Sequence, residues 1–107
     1  VLSEVGAMLK KSVRGSDLVC RYGGEELVAI LPNTGPEKAF IVCERFRESV
    51  AQHDFLFDQA RIRVTVSAGI ASYDGTADQS PIELLNLADQ ALYQAKEMGR
   101  NRVTVQK

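Results

Sequence analysis

Apolar residues at Leu2, Val5, Leu9 and Val13 recur at the spacing of one helical face and predict a helix over residues 1 to about 13. No cap or turn signal precedes it, so Val1-Leu2 reads as the interior of an element with something expected upstream. Two short apolar runs follow, 18–22 and 27–31, separated by Gly23-Gly24-Glu25-Glu26 and closed by Pro32. This reads as a hairpin in which the glycines are expected to supply the positive φ of a tight turn. Gly35-Pro36 opens the next helix, with proline at its first position and an apolar stripe of Ala39, Val42, Cys43, Phe46 and Val50. Residues 53–60 read as a loop or a minor strand. Alternation at Ile62, Val64 and Val66, continuing to Ile70, predicts one long strand.

The last helix has the clearest start. Ser80-Pro81-Ile82-Glu83 is a capping box with proline at the first helical position. Leu84, Leu85, Ala88, Ala91, Leu92 and Ala95 form its apolar face, and Gly99 supplies a stop. A short strand over residues 103–105 closes the series, and no internal repeat or low-complexity segment interrupts it. The order is helix, strand, strand, helix, strand, helix, strand.

Composition bounds this picture without redirecting it. At 107 residues and 45% hydrophobic content the chain suits one small globular domain. A net charge of −1 argues against a general nucleic-acid-binding surface, so no DNA or RNA polymer is expected as a partner. No run approaches the roughly 20 apolar residues of a membrane span, and no signal peptide is visible. Cys20 falls in a predicted strand and Cys43 on an apolar helix face, so both are expected to be buried free thiols of a reducing cytoplasm. His53 stands alone beyond a helix end and receives no ligand role.

Three groupings carry candidate chemistry. The adjacent acids Glu25 and Glu26 repel each other and are not what turn geometry requires. Beside bare glycine backbone they suit a nucleotide polyphosphate and its divalent metal, although a solvated acidic hairpin tip has the same composition. Lys96 and Arg100, four apart, are expected to share a face near the end of the last helix. There they suit phosphate, or simply the helix dipole. Arg14 and Asp17, three apart, are either a ligand-reading pair or a surface ion pair. Asp89 and Tyr93 read as structural, the tyrosine on the face turned toward the sheet.

The order of these residues narrows the alternatives. Arg14-Gly15-Ser16-Asp17, then Arg21-Tyr22-Gly23-Gly24-Glu25-Glu26-Leu27, then Leu31-Pro32 resembles the GGDEF family, the diguanylate cyclases of bacterial signal transduction. Cys43-Glu44-Arg45-Phe46-Arg47, Val64-Thr65-Val66-Ser67-Ala68-Gly69, Ala88-Asp89, Ala91-Leu92-Tyr93 and Ala95-Lys96 with Gly99-Arg100-Asn101-Arg102 continue it in family order. The resemblance covers essentially the whole chain.

The resemblance implies an α/β (α+β) fold, a ferredoxin-like sheet flanked by helices as in adenylyl cyclases and polymerase palms. It implies that the first central strand is absent from this chain, residues 1–107 being a single partial GGDEF domain, its carboxyl-terminal two-thirds. The implied reaction joins two GTP into cyclic di-GMP with release of pyrophosphate. Glu25 and Glu26 would be catalytic, Glu26 also holding Mg²⁺ (or Mn²⁺), and two such ions sit roughly 3.5–4 Å apart in sites of this kind. Gly23 and Gly24 would lie against GTP, and Lys96 and Arg100 would hold its terminal phosphates. Arg14, Asp17 and Arg45 match the family's inhibitory site, where cyclic di-GMP binds back. A homodimer for catalysis, an upstream sensory domain and a cytoplasmic location, free or as part of a membrane-anchored protein, are also implied.

Two departures qualify these expectations. Leu27 stands where the family usually has phenylalanine, a changed packing contact. The family's partner metal aspartate and its guanine-reading asparagine and aspartate have no counterpart here, so this chain alone is expected to be inactive. The alternative is a degenerate GGDEF domain that receives GTP or cyclic di-GMP without catalysis. A third reading is an inert fragment that folds by exchange with another copy.

Overall fold

The computed structural model describes residues 2–73, 75 and 79–106, so the expectation for Val1 lies outside the described residues. Helix α1 runs Leu2–Ser12 and buries Val5 and Leu9, as its spacing predicts. Strands β1 (Leu18–Gly23) and β2 (Glu26–Ile30) form an antiparallel hairpin, with Leu18 opposite Ile30 and Gly23 opposite Glu26. Helix α2 (Pro36–Gln52) starts at its proline and buries Ala39, Phe46 and Val50.

Where a loop or a minor strand was expected after α2, the structure has a small antiparallel pair, β3 (Phe55–Phe57) with β4 (Ala60–Ile62). The single long strand expected to end at Ile70 is not present. Residues 63–67 carry no strand assignment, and β5 covers only Ala68–Ile70. The alternation was nevertheless informative, because Val64 and Val66 pack against the core. Period-two alternation reports which way side chains face; a strand also needs a partner for its amides, and β4 and β5 pair with different neighbours.

Helix α3 (Pro81–Glu97) begins where its cap predicts, Ser80 Oγ accepting a hydrogen bond from the Glu83 amide at 3.2 Å. It connects β5 to β6 (Val103–Val105), and those two strands pair in parallel. The described strands thus form three two-stranded ladders, two antiparallel and one parallel. With three helices they make the mixed α/β, palm-like fold that the sequence implied.

Two packing centres hold these pieces. Val5, Leu9, Phe46, Val50 and Phe55 form the core between α1 and α2, closed by Met8, Val13, Val19, Leu27, Val64 and Val66. Leu27 therefore acts as a packing residue directly behind the hairpin tip. The second centre is the contact of α3 with β5, where Ala91 and Ala95 are fully buried. At Gly69 the strand lies against the helix backbone itself: a Cβ there would stand 2.2 Å from the Leu92 nitrogen and 2.3 Å from the Ala88 oxygen.

Candidate functional site

The hairpin tip is a two-residue connection, Gly24-Glu25, between the paired residues Gly23 and Glu26. Arg21 braces it, its Nε and Nη2 donating to the Gly24 carbonyl oxygen at 3.2 and 2.8 Å. Neither Gly23 nor Gly24 has positive φ, contrary to the expectation for a glycine-bearing turn. The register shift between Arg21 and Gly23 supplies the local irregularity instead. A Cβ on either glycine would meet nothing within 4 Å. The fold thus requires neither glycine for conformation nor for space. Glu25 and Glu26 are exposed, and no ion pair engages either among the described residues.

Lys96 lies in the last turn of α3, exposed. Arg100 does not continue that helical face, as its spacing had implied. The helix ends at Glu97, and Gly99, Arg100 and Asn101 follow with φ of 115°, 63° and 50°. Glycine at 99 permits the reversal that stops the helix. Among the described residues no ion pair joins Lys96 or Arg100 to Glu25 or Glu26.

Arg14, Asp17 and Arg45 do come together. They line one open cleft of about 340 Å³ between the end of α1, the segment after β2 and one face of α2. That volume lies in the range of small-ligand sites. Lys38, Ile41, Val42 and Arg45 line it at helical spacing, and Leu31 and Val13 add apolar surface. The Arg14–Asp17 pair is more than a surface ion pair. Asp17 Oδ2 accepts from the Arg14 backbone amide at 2.8 Å, while the Asp17 amide donates to the Arg14 carbonyl at 3.0 Å. The guanidinium reaches across to Pro32 O at 3.1 Å and Thr34 Oγ1 at 2.7 Å, leaving Nε 3.7 Å from the carboxylate.

The Asp17 side chain is 4% exposed, and its Oδ1 is buried with no hydrogen-bond partner. A buried carboxylate oxygen without a donor is costly, so a ligand N–H in the cleft would satisfy it. Thr34 and Lys38 were not singled out by sequence. The seven-residue spacing of Lys38 from Arg45 on α2 could have found the lysine; Thr34 enters through a contact twenty residues distant along the chain, which local pattern does not carry.

Two smaller expectations are corrected. Tyr93 is 64% exposed and does not face the strands. Cys20 is exposed on β1 rather than buried, whereas Cys43 is partly buried in α2. Burial pushes the Cys43 thiol up to about 11. Alkylation at neutral pH is therefore expected to label Cys20 and spare Cys43, read by mass spectrometry of the peptides. Equal labelling would contradict the packing of α2. Because the folded value exceeds the ordinary thiol value of 9.0, the stability linked to this thiol is intact below pH 9 and declines as pH rises toward 11.

Comparison with known proteins agrees with the fold. The profile of the family "Diguanylate cyclase, GGDEF domain" matches residues 1–102. Diguanylate cyclase A of Treponema denticola is 41% identical over 107 residues, covering 100% of this chain and 29% of that protein. The response regulator PleD of Caulobacter vibrioides is 43% identical over 105 residues, 96% of this chain and 23% of that protein. This chain thus spans less than a third of either relative. The solved active GGEEF domain of a diguanylate cyclase from Vibrio cholerae superposes with a TM-score of 0.85 at 31% identity, covering 99% of this chain and 66% of that one. The GGDEF domain of Caulobacter crescentus DgcB in complex with c-di-GMP superposes at 0.89 with 28% identity, covering 97% of this chain and 61% of that one.

Proposed function

We propose that this chain, which belongs to the GGDEF diguanylate cyclase family, handles GTP at its hairpin tip and cyclic di-GMP in its cleft, within a protein that condenses two GTP into cyclic di-GMP. The observation that carries the reading is the tip itself: two carboxylates with no ion pair among the described residues, beside two glycines that the fold does not require.

In the reaction, the ribose 3′-oxygen of each GTP forms a bond to the α-phosphorus of the other, and the bond from that phosphorus to the bridging oxygen breaks to release pyrophosphate. Each ring closure of this kind consumes two GTP and yields two pyrophosphates. Gly23 and Gly24 let the nucleotide lie against the strand backbone. Glu25 accepts the hydrogen bond of the attacking hydroxyl. Lys96 and Arg100 hold the terminal phosphates. Two molecules face to face, each with its own GTP, bring the two hydroxyls to the two phosphates.

The carboxylates fit a hard divalent cation, Mg²⁺ or Mn²⁺, as oxygen donors, with Glu26 as the ligand and Glu25 beside it. Among the described residues no cluster of three or more ligating side chains occurs, so phosphate oxygens would complete the set. When bound, the cation neutralises charge on the reacting phosphate and the leaving group. With so few carboxylates, residues 1–107 taken alone are expected to give no sustained turnover.

A second reading is a receptor that binds GTP or cyclic di-GMP without catalysis, and the assembled cleft is what supports it. The two part on stoichiometry. Incubated with Mg²⁺ and GTP, the whole natural protein is expected to release one pyrophosphate per GTP consumed. Binding of GTP with no pyrophosphate would leave the receptor reading.

In the cleft, Asp17 Oδ1 would accept from a guanine N–H, with Arg14 and Arg45 on phosphate or the guanine edge. Arginine's planar fork suits both contacts. A charge-assisted bond of this kind is worth about 1.5–3 kcal/mol. Arg14→Ala is therefore expected to weaken cyclic di-GMP binding by roughly 10- to 100-fold in a calorimetric titration. An unchanged affinity would remove Arg14 from the site.

A further inference from the structure

The turn after α3 is held in a shape that its own sequence does not favour. Arg100 has φ of 63°, a left-handed conformation that costs a residue with a Cβ roughly 1–2 kcal/mol. Asn101 follows at 50°, which asparagine tolerates better. Contacts from distant parts of the chain fix this geometry. The Asn101 amide donates to Ser67 Oγ at 3.1 Å, just before β5. Arg47 Nη1, on α2, donates to Asn101 Oδ1 at 2.8 Å across 54 residues of sequence. The Arg100 amide donates to Ala95 O at 3.0 Å.

Arg47 is itself fixed. Its side chain is 17% exposed, and its Nε and Nη2 are bound to the Glu44 carboxylate. That hydrogen bond, with a smaller charge attraction, holds the Glu44 carboxyl below its ordinary range. One edge of the guanidinium thus anchors to its own helix, and Nη1 is left to reach Asn101. An arginine on α2 thus gives its remaining donor to the asparagine next to Arg100.

We propose that Arg47 and Asn101 are positioning residues that preset the 99–102 turn, so that Arg100 is presented to the nucleotide's terminal phosphates before GTP arrives. This rests on the reading of Arg100 as a phosphate ligand. A turn ordered in advance removes an entropic cost that would otherwise fall on binding.

Asn101→Gly isolates the effect, because glycine accepts the positive φ but offers no Oδ1 to Arg47. In the whole natural protein, titrated with Mg²⁺ and GTP, it is expected to weaken binding about tenfold, the scale of one charge-assisted bond. Cyclic di-GMP affinity is expected to stay unchanged, since Asn101 is not in the cleft, and the melting temperature to fall by no more than roughly 4–8 °C, the scale of one hydrogen bond. Ser67→Ala, which removes the other anchor, is expected to weaken GTP binding in the same direction. Arg100→Ala tests the underlying reading separately. If Arg100→Ala weakens GTP binding and Asn101→Gly does not, the positioning role is refuted and the phosphate role stands. If Arg100→Ala binds GTP as the parent does, the phosphate role fails and the positioning role with it. A general fall in melting temperature and in cyclic di-GMP affinity for Asn101→Gly would make the contact merely structural and overturn the proposal.

Discussion

Gly69→Ala is expected to destabilise the fold by at least about 3 kcal/mol, the upper part of the range for overpacking in a core. The methyl group would enter space already held by the α3 backbone, at 2.2 Å from the Leu92 nitrogen, 2.3 Å from the Ala88 oxygen and 2.8 Å from the Ala91 carbonyl carbon. Backbone in mid-helix cannot turn aside as a flexible side chain can, and the adjoining Ala91 and Ala95 are already fully buried. Helix α3 would have to lift from β5, and with it the parallel β5–β6 pair and the turn that carries Arg100. For a domain of this size that loss lowers the melting temperature by roughly 12 °C or more. Gly24→Ala is the informative contrast. Its Cβ meets nothing and its φ is not positive, so melting is expected to change by less than about 0.5 kcal/mol. GTP binding is nevertheless expected to weaken. If Gly69→Ala melts within a degree or two of the parent, the close approach of α3 to β5 is wrong.

In the whole natural protein, Glu26→Gln is expected to reduce GTP turnover by about 10³-fold while leaving the fold intact. Glutamine keeps the length of the side chain, and the pairing of residue 26 with Gly23 runs through the backbone. What disappears is the negative charge and the carboxylate's ability to hold a hard cation. Such a cation stabilises a phosphoryl transition state by several kcal/mol, and each 1.36 kcal/mol is tenfold in rate. The residue is exposed and unpaired among the described residues, so no buried partner is orphaned by the change. Unchanged melting with lost turnover would assign Glu26 to chemistry; full turnover would remove it from the site.

Helix starts were legible because their signals are local. Pro36 and Ser80-Pro81 each mark a helix start within a residue of where the structure has it. The hairpin was equally legible, yet its physical reading was not. The glycines that suggest a positive-φ turn adopt none, and neither the backbone nor the space around them calls for glycine. The 62–70 segment shows a different limit. Its alternation reported the inward residues Val64 and Val66 correctly, but whether a strand forms depends on a partner that lies elsewhere in the chain. Spacing misled at Arg100 because four residues make a shared face only while the helix lasts, and Gly99 ends it. Arg14, Asp17 and Arg45 were recognisable from motif order, and they meet in one cleft. The Thr34 hydroxyl on Arg14 and the Asn101 amide oxygen on Arg47 depend on packing between elements, which periodicity does not encode.

One progress curve joins catalysis to the cleft. The whole natural protein is incubated with Mg²⁺ and GTP, cyclic di-GMP is followed by chromatography, and the Arg14→Ala variant is run beside it. The parent is expected to form cyclic di-GMP and to slow as product accumulates, while Arg14→Ala continues until GTP is exhausted. Absence of cyclic di-GMP from the parent, or identical slowing in both proteins, would contradict the assignment.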